Sequence, residues 1–497
     1  MQTQTFASSK GSIQERRKDE RRRKNVPLTV TQHSFRPASK IVRWQIPLRT
    51  GCLMPAVGEI EQSWRLSAQD RSAAIIGTIG IRGQWSDSVP RAQNLRRTRT
   101  VNFDPTSEQR RWRNLARDFA QTEIRPRAEQ LDREQKFPYD IISEMARLGL
   151  MGLTLPEEYG GSGGDFVAYS LALEEISRAD TSIGITMEAH ISLGCSPLAI
   201  HGTLAQKERY LAPCATGQRL WAFGLTEENA GTDAGGTQTT AELEDGDWAI
   251  NGSKKWITNS GTEITDGVTV MVRTGIREKG KPELTAIIVP QETPGYTRGP
   301  AYEKTGWRAS DQHPLYFEDC RVPEENVLGE RGRGFRQFLQ TLDAGRVAVA
   351  ALSVGLAQAC LDEALVRARE RRQFGRAIAE FQAIQFKLAD MAMEIELARN
   401  MVLKAAWLRD QGRAFGREAS MAKIFASEAA KRAADQAIQI WGGEGFMETS
   451  AVARYWRQVK INEIGEGTSE INRQIIARSL LAEPETAEDT KTKVVTQ

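Results

Sequence analysis

Four short stretches concentrate residues that could do chemistry. Gly224-Leu225-Thr226-Glu227-Glu228-Asn229-Ala230-Gly231-Thr232-Asp233 packs glycines, hydroxyls and acids into a turn, a composition that lets backbone approach a phosphate or a flat heterocycle. After a short hairpin comes Trp256-Ile257-Thr258, where strand alternation puts an indole and a hydroxyl on one face. Gly465-Glu466-Gly467-Thr468-Ser469-Glu470 holds a carboxylate between glycines that free its backbone and clear space for a ligand. Gln439-Ile440-Trp441-Gly442-Gly443-Glu444-Gly445-Phe446 closes a helix with glycines that let a ligand pass close. Each has a plainer reading: a surface turn, a core tryptophan on a strand, a solvated loop acid, a glycine C-cap. Asp343 and Arg346, three residues apart, share a helix face and from spacing alone read as an intrahelical ion pair.

These stretches need three kinds of scaffold. From Thr106-Ser107-Glu108 onward, helical patterns run through Trp112, Leu115, Ala116 and Phe119, with Pro126 expected to bend or end that helix. They continue over 139–148, 169–178 and 197–210, with the glycine-rich loop 156–161 among them. From about Gln218, short β-rich runs take over at 239–243, 248–250, 256–258, 268–272 and 284–289. Asp245-Gly246 and Asn251-Gly252 are read as hairpin turns. Beyond Gly334 the chain is helical again over 347–371, 417–440 and 471–481. Phe381, Ile384, Leu388, Met391, Ile395, Ala398 and Val402 form a seam spaced for antiparallel bundle packing.

With 497 residues, 40% hydrophobic and 26% charged, the chain can bury a large core in two or three domains. Its net charge of +3 conceals a split: residues 1–100 carry 19 Lys and Arg against 7 Asp and Glu, the remainder 48 against 57. The mildly acidic body calls for no nucleic-acid partner. Cys52, Cys195, Cys214, Cys320 and Cys360 show no C-x-x-C spacing and the four histidines no H-x-x-x-H pair, so neither a metal site nor a disulfide framework is expected. The longest apolar helical stretch, 347–360, is broken by Ser353, Gly355 and Gln358; it reads as a buried bundle helix too short for membrane insertion. The first hundred residues are read as a disordered basic arm or a start site assigned too early, with Val101-Asn102-Phe103-Asp104 as the true opening and a GTG initiator at Val101; Glu15, Asp19 and Glu20 argue against a transit peptide.

In this α, β, α order, the motifs resemble the acyl-CoA dehydrogenase family, short- and medium-chain branch, from about residue 101 to 481. The resemblance implies an α+β, mainly α fold. An N-terminal α-helical domain (101–217) is followed by a middle β-barrel or sandwich domain (218–330) and a C-terminal four-helix bundle (331–482), with a basic extension (1–100) and a polar tail (483–497). It implies FAD as cofactor. Phe223, Leu225, Thr226, Gly231, Thr232, Trp256, Ile257 and Thr258 would hold the flavin, with Thr468, Ser469 and Glu470. Arg371, Gln382, Gln439, Ile440, Trp441, Gly442 and Gly443 would contact the FAD of a neighbouring subunit. Thr232, Asp343, Arg346 and Gly467 would border the CoA thioester, and Glu466 would be the base that removes its α-proton. The family's second placement for that base falls on Gly345, which has no acid. Thr449 and Gln458 stand where acids are common, putting local ion pairs in doubt, and Gly465 replaces a common tyrosine. Implied partners are an acyl-CoA, an electron-transfer flavoprotein and further copies in a homotetramer, a dimer of dimers. A bacterial cytoplasm is expected, a mitochondrial matrix being the alternative. A flavin monooxygenase of the same fold is the competing activity.

Overall fold

A computed structural model describes residues 104–482; the basic arm, the opening at Val101 and the polar tail lie outside the described residues. Helix α1 (Ser107–Phe119) starts with a capping box, in which the Gln109 N–H donates to Thr106 Oγ1 at 3.2 Å and the Thr106 N–H to Gln109 Oε1 at 2.9 Å. Pro126 does not bend α1 itself. A π-helical turn (Ala120–Ile124) and a 3-10 turn (Arg125–Arg127) absorb the proline before α2 (Ala128–Glu134) and α3 (Tyr139–Arg147). Next come α4 (Phe166–Ala179) and α5 (Thr181–Glu188), the latter running on through a π-helical turn, Ala189–Cys195. All eight residues of α5 are buried, so it has no polar face and no helical period by which to read it. The helix expected over 197–210 is instead broken into α6 (Ser196–His201) and α7 (Leu204–Gln206), because Thr203 opens a fresh capping box. A short α8 (Ala212–Ala215) follows.

Seven strands form one curled sheet: β1 (Leu220–Gly224), β2 (Thr240–Glu244), β3 (Asp247–Thr258), β4 (Thr265–Ile276), β5 (Pro282–Pro290), β6 (Tyr296–Arg298) and β7 (Gln312–Pro323). Their order is β1-β4-β2-β3-β7-β6, with β5 on β4; β1 and β2 run parallel to β4 and the remaining pairs are antiparallel. Asp245-Gly246 does turn the β2–β3 hairpin, with φ of +52° and +93°. Asn251-Gly252 does not turn: it lies inside β3, where the pairing to β7 slips between Ile250 and Gly252. A Cβ at Gly252 would fall 2.8 Å from Thr239 Cα, so this glycine permits a bulge and a close crossing. The inner face carries Trp248, Ile250, Val270, Ile287 and Phe317. The outer face packs Trp221, Met271 and Ile288 against Leu198, Leu211 and Phe338 of the helices.

The helices α9 (Gly334–Glu370), α10 (Gln382–Asp410), α11 (Gly416–Trp441), α12 (Ala451–Val459), α13 (Ile461–Ile464) and α14 (Ser469–Leu481) complete the fold. A two-residue hairpin, β8 (Arg372–Gln373) and β9 (Arg376–Ala377), joins α9 to α10. Met391, Ile395, Ala398 and Val402 of the expected seam are buried, sharing one core with the first helices. At 37 residues α9 is longer than the apolar run suggested. By length and composition it and Thr181–His201 could each cross a bilayer, yet 94% and 83% of their apolar windows are buried inside the protein, the packing of core helices.

Candidate active site

The loop between α13 and α14 presents Glu466 by a chain of local requirements. Thr468 caps α14, its hydroxyl accepting the Ile471 N–H at 3.4 Å. That places Gly467 at φ +93° and Glu466 at φ +52°, a left-handed pair that turns the glutamate inward. Cations from two other helices hold the loop. Arg346 of α9 donates Nε–H to the Glu466 carbonyl at 3.2 Å and Nη1–H to Asp343 Oδ1 at 2.6 Å. Lys423 of α11 donates to the Gly467 carbonyl at 2.8 Å, where Asn472 Nδ2 also donates at 2.8 Å. Asp343, Arg346, Glu466 and Gly467 are therefore brought together, and the Asp343–Arg346 ion pair exists while its arginine also positions the glutamate.

Glu466 as a whole is half-buried, but both carboxyl oxygens are shielded, without a hydrogen-bond donor among the described residues. Burial pushes this carboxyl up to about 7; Glu188, Arg346 and Lys423 hold it from going higher. Lys423, buried beside it, is brought down to about 8. A Cβ at Gly345 would lie 1.9 Å from Glu466 Oε2, so the missing side chain on α9 is the space the carboxyl occupies.

The glycine-rich loop leaves β1 after Phe223 and Gly224 and is held by a buried ion pair that the sequence reading missed. Lys254, 0% exposed, donates to Glu227 Oε1 at 2.6 Å, to the Met271 carbonyl at 2.6 Å and to the Leu225 carbonyl at 3.3 Å. Glu227 also accepts from the Gln238 N–H at 2.7 Å, the Thr239 N–H at 3.1 Å and the Thr239 hydroxyl at 2.7 Å. Burial works to raise the Glu227 carboxyl, but Lys254 and these donors override it and lower it; Lys254 itself is brought down to about 8, chiefly by burial. An acid inside the motif and a lysine two residues before Trp256 were the available signals.

On this clamped loop the Thr226 and Thr232 hydroxyls have no protein hydrogen-bond partner among the described residues, and a Cβ at Gly231 would meet open space. Trp256 sits at φ +57° with 55% of its surface exposed, while Ile257 beside it is buried. Thr258 is half-buried, its hydroxyl accepting from Gln312 Nε2 at 3.4 Å. An uncovered indole, two free hydroxyls and a clear glycine suit a flat, polar-edged ring such as a flavin. The strand also connects toward Glu466: buried Asn259, next after Thr258, donates Nδ2–H to the Thr186 carbonyl of α5 at 2.9 Å. Two residues on, Glu188 meets Glu466.

Arg371, Gln382, Gln439, Gly442 and Gly443 are exposed at the ends of α9, α10 and α11. Arg367 braces that corner, 2.7 Å from Glu444 and 5.1 Å above the Trp441 ring. Ile440 is buried in the helical core. No hydrogen bond or ion pair joins this corner to Glu466 among the described residues. The substitutions at 449 and 458 leave ion pairs intact with other partners. Arg457 pairs with Asp132 at 2.6 Å and Glu448 at 3.2 Å, and buried Gln458 accepts the Thr181 hydroxyl at 2.7 Å beside Asp180.

Comparison with known proteins agrees with this layout. Residues 106–218, 222–320 and 332–481 match the models of the acyl-CoA dehydrogenase N-terminal, middle and C-terminal domains. The chain is 54% identical to a probable acyl-CoA dehydrogenase, YngJ, of Bacillus subtilis, over 77% of this chain and 100% of that protein. It is 46% identical to the mitochondrial short-chain specific acyl-CoA dehydrogenase of Mus musculus, over 74% and 89%. The solved butyryl-CoA dehydrogenase of Megasphaera elsdenii superposes with a TM-score of 0.75 at 42% identity, covering 77% of this chain and 100% of the other.

Proposed function

The chain belongs to the acyl-CoA dehydrogenase family, an FAD-dependent family of oxidoreductases, and we propose that it converts a short saturated acyl-CoA into the trans-2-enoyl-CoA with Glu466 as base. The observation that carries this reading is the shielded Glu466 carboxyl, pushed up to about 7 and facing the gap at Gly345. A thioester α-proton is far too weak an acid for an exposed carboxylate; in a site closed by acyl chain and ring the same carboxylate is a stronger base. Glu466 takes the α-proton, forming an O–H bond while the C–H electron pair stays on the substrate. The Glu466 backbone N–H donates to the thioester oxygen as negative charge develops there. Bound FAD would accept the hydride from the β-carbon and lend a ribityl hydroxyl to the same oxygen.

Thr226, Thr232, Trp256 and Thr258 supply the faces and hydroxyls for the ring, and the Lys254–Glu227 pair keeps their loop in register. Arg371, Gln382 and the 439–443 turn serve a neighbouring copy, so the active form is an oligomer, read as a tetramer. Phe386, Met393 and Leu397 form an exposed apolar stripe on α10, opposite its buried seam, that such a copy would cover. Electrons pass on to an electron-transfer flavoprotein, and the setting is β-oxidation in a bacterial cytoplasm. An oxygen-activating monooxygenase would have no use for a base poised near neutrality.

Anaerobic addition of butyryl-CoA to the FAD-loaded protein tests the proposal. The flavin absorbance should bleach, and Glu466→Gln should abolish bleaching while retaining FAD. Undiminished bleaching by that variant would refute the assignment of the base.

A further inference from the structure

Glu188 is a second carboxyl inside the site, and the reaction as described has no use for it. It ends α5, is 0% exposed, and neither of its oxygens has a donor among the described residues. The carboxyl of Glu466 faces it, equally without donors. Two ionised carboxylates held this way would set acceptor against acceptor with no donor between them. One proton between them converts that repulsion into a strong O–H···O⁻ hydrogen bond. The surroundings decide which group keeps it. Arg346 of α9 and Lys423 of α11 both stabilise the anionic form of Glu466. From α4, Glu188 is faced by the neutral hydroxyl of Tyr169, which is tied to Ser192 at 3.0 Å and lies near Arg409 of α10. Among the described residues no cation acts directly on Glu188; burial first, and then the charge of Glu466, raise it well above the usual carboxylate range.

We propose that Glu188 is the proton-holding partner of Glu466: a carboxylic acid kept un-ionised in the resting enzyme, whose O–H is donated to the Glu466 carboxylate, so that the pair sets the base's orientation and working pH. The inference rests on Glu466 being the base. It makes Glu188 a positioning residue. The α-proton arriving on Glu466 gives the pair two protons, and one must leave to solvent before the next turnover.

The test uses the FAD-loaded enzyme with Glu188→Leu, which removes the donor, and Glu188→Gln, which keeps an N–H donor in the same volume. Rates of anaerobic flavin reduction by butyryl-CoA are measured against pH. Without the donor, the acid limb should move at least one pH unit higher in Glu188→Leu, lowering the rate at pH 6 about tenfold more than at pH 9. Glu188→Gln should restore most of that displacement, a rescue that a merely space-filling role does not require. Infrared pH titration of the substrate-free holoprotein gives an independent readout. A protonated-carboxyl band should persist at pH 8 in the wild type and vanish in Glu188→Gln. An acid limb unmoved in Glu188→Leu, or a band at pH 8 that survives Glu188→Gln, overturns the proposal. If the leucine variant does not fold, the glutamine variant and the infrared titration decide. If the wild type is bleached by no acyl-CoA, the proposed reaction falls, while the infrared result still reports whether Glu188 holds its proton.

Discussion

Adding a single methyl group at Gly345 separates catalysis from stability. The three atoms nearest a Cβ built there all belong to Glu466: Oε2 at 1.9 Å, Cδ at 2.6 Å and Oε1 at 2.9 Å. An ordinary carbon–oxygen contact is roughly 3.3 Å, so the carboxyl must retreat by more than about 1 Å while its backbone stays pinned by Arg346 and Lys423. A displacement of that size between reacting groups costs on the order of 10²-fold in rate. The fold should not suffer, since only the far end of a flexible side chain moves and alanine is favoured over glycine within a helix by up to about 1 kcal/mol. Gly345→Ala should therefore reduce its flavin with butyryl-CoA about a hundredfold more slowly in stopped-flow absorbance. Its thermal midpoint should equal or exceed that of the wild type. A rate within about threefold of wild type would mean that Glu466 reaches the substrate from another position, and the geometric reasoning would fail.

Lys254→Met leaves Glu227 buried without its cation and should destabilise the protein by about 3–5 kcal/mol, read by chemical denaturation, with FAD released more readily on dilution. Adding Glu227→Gln should recover part of the loss. Because the Glu466 carboxyl is raised in the folded state, its linkage term is fully present below the unfolded value near 4.5 and is lost as the pH climbs through about 7. Thermal midpoints of Glu466→Gln should therefore gain on those of the wild type between pH 5 and pH 8; a constant difference would refute the shift. Met393→Glu, on the exposed stripe of α10, should lower the assembly mass by size-exclusion light scattering and strip FAD with it; an unchanged mass would place the subunit contact elsewhere.

Much of this arrangement is written in local sequence. Gly467 and Thr468 announce a turn and a helix cap, and that pairing fixes where Glu466 must point. The seam from Met391 to Val402 keeps its three-and-four spacing because that face of α10 meets the bundle. Elements without such spacing are harder to read. β7 hides behind His313, Pro314, Glu318 and Asp319, although Leu315, Phe317, Cys320 and Val322 point into the sheet. Asn251-Gly252 has the composition of a hairpin turn, but the strand after it is needed opposite β7, and the tertiary pairing outweighs the local signal.

Glu188 was invisible for a related reason. A glutamate in a stretch that is buried on every side has no period to betray it, and its meaning lies in a residue 278 positions away. Asn259, whose side chain ties the end of β3 to α5, is another such long-range element. Through these two residues α5 acts in two places at once. The Thr186 carbonyl anchors the strand that would carry the ring, and two residues on Glu188 sets its carboxyl against that of Glu466. A shift of α5 along its axis would move both together. In the proposed reaction the spacing between the ring and the proton acceptor would therefore depend on α5 as well as on the loops at either side.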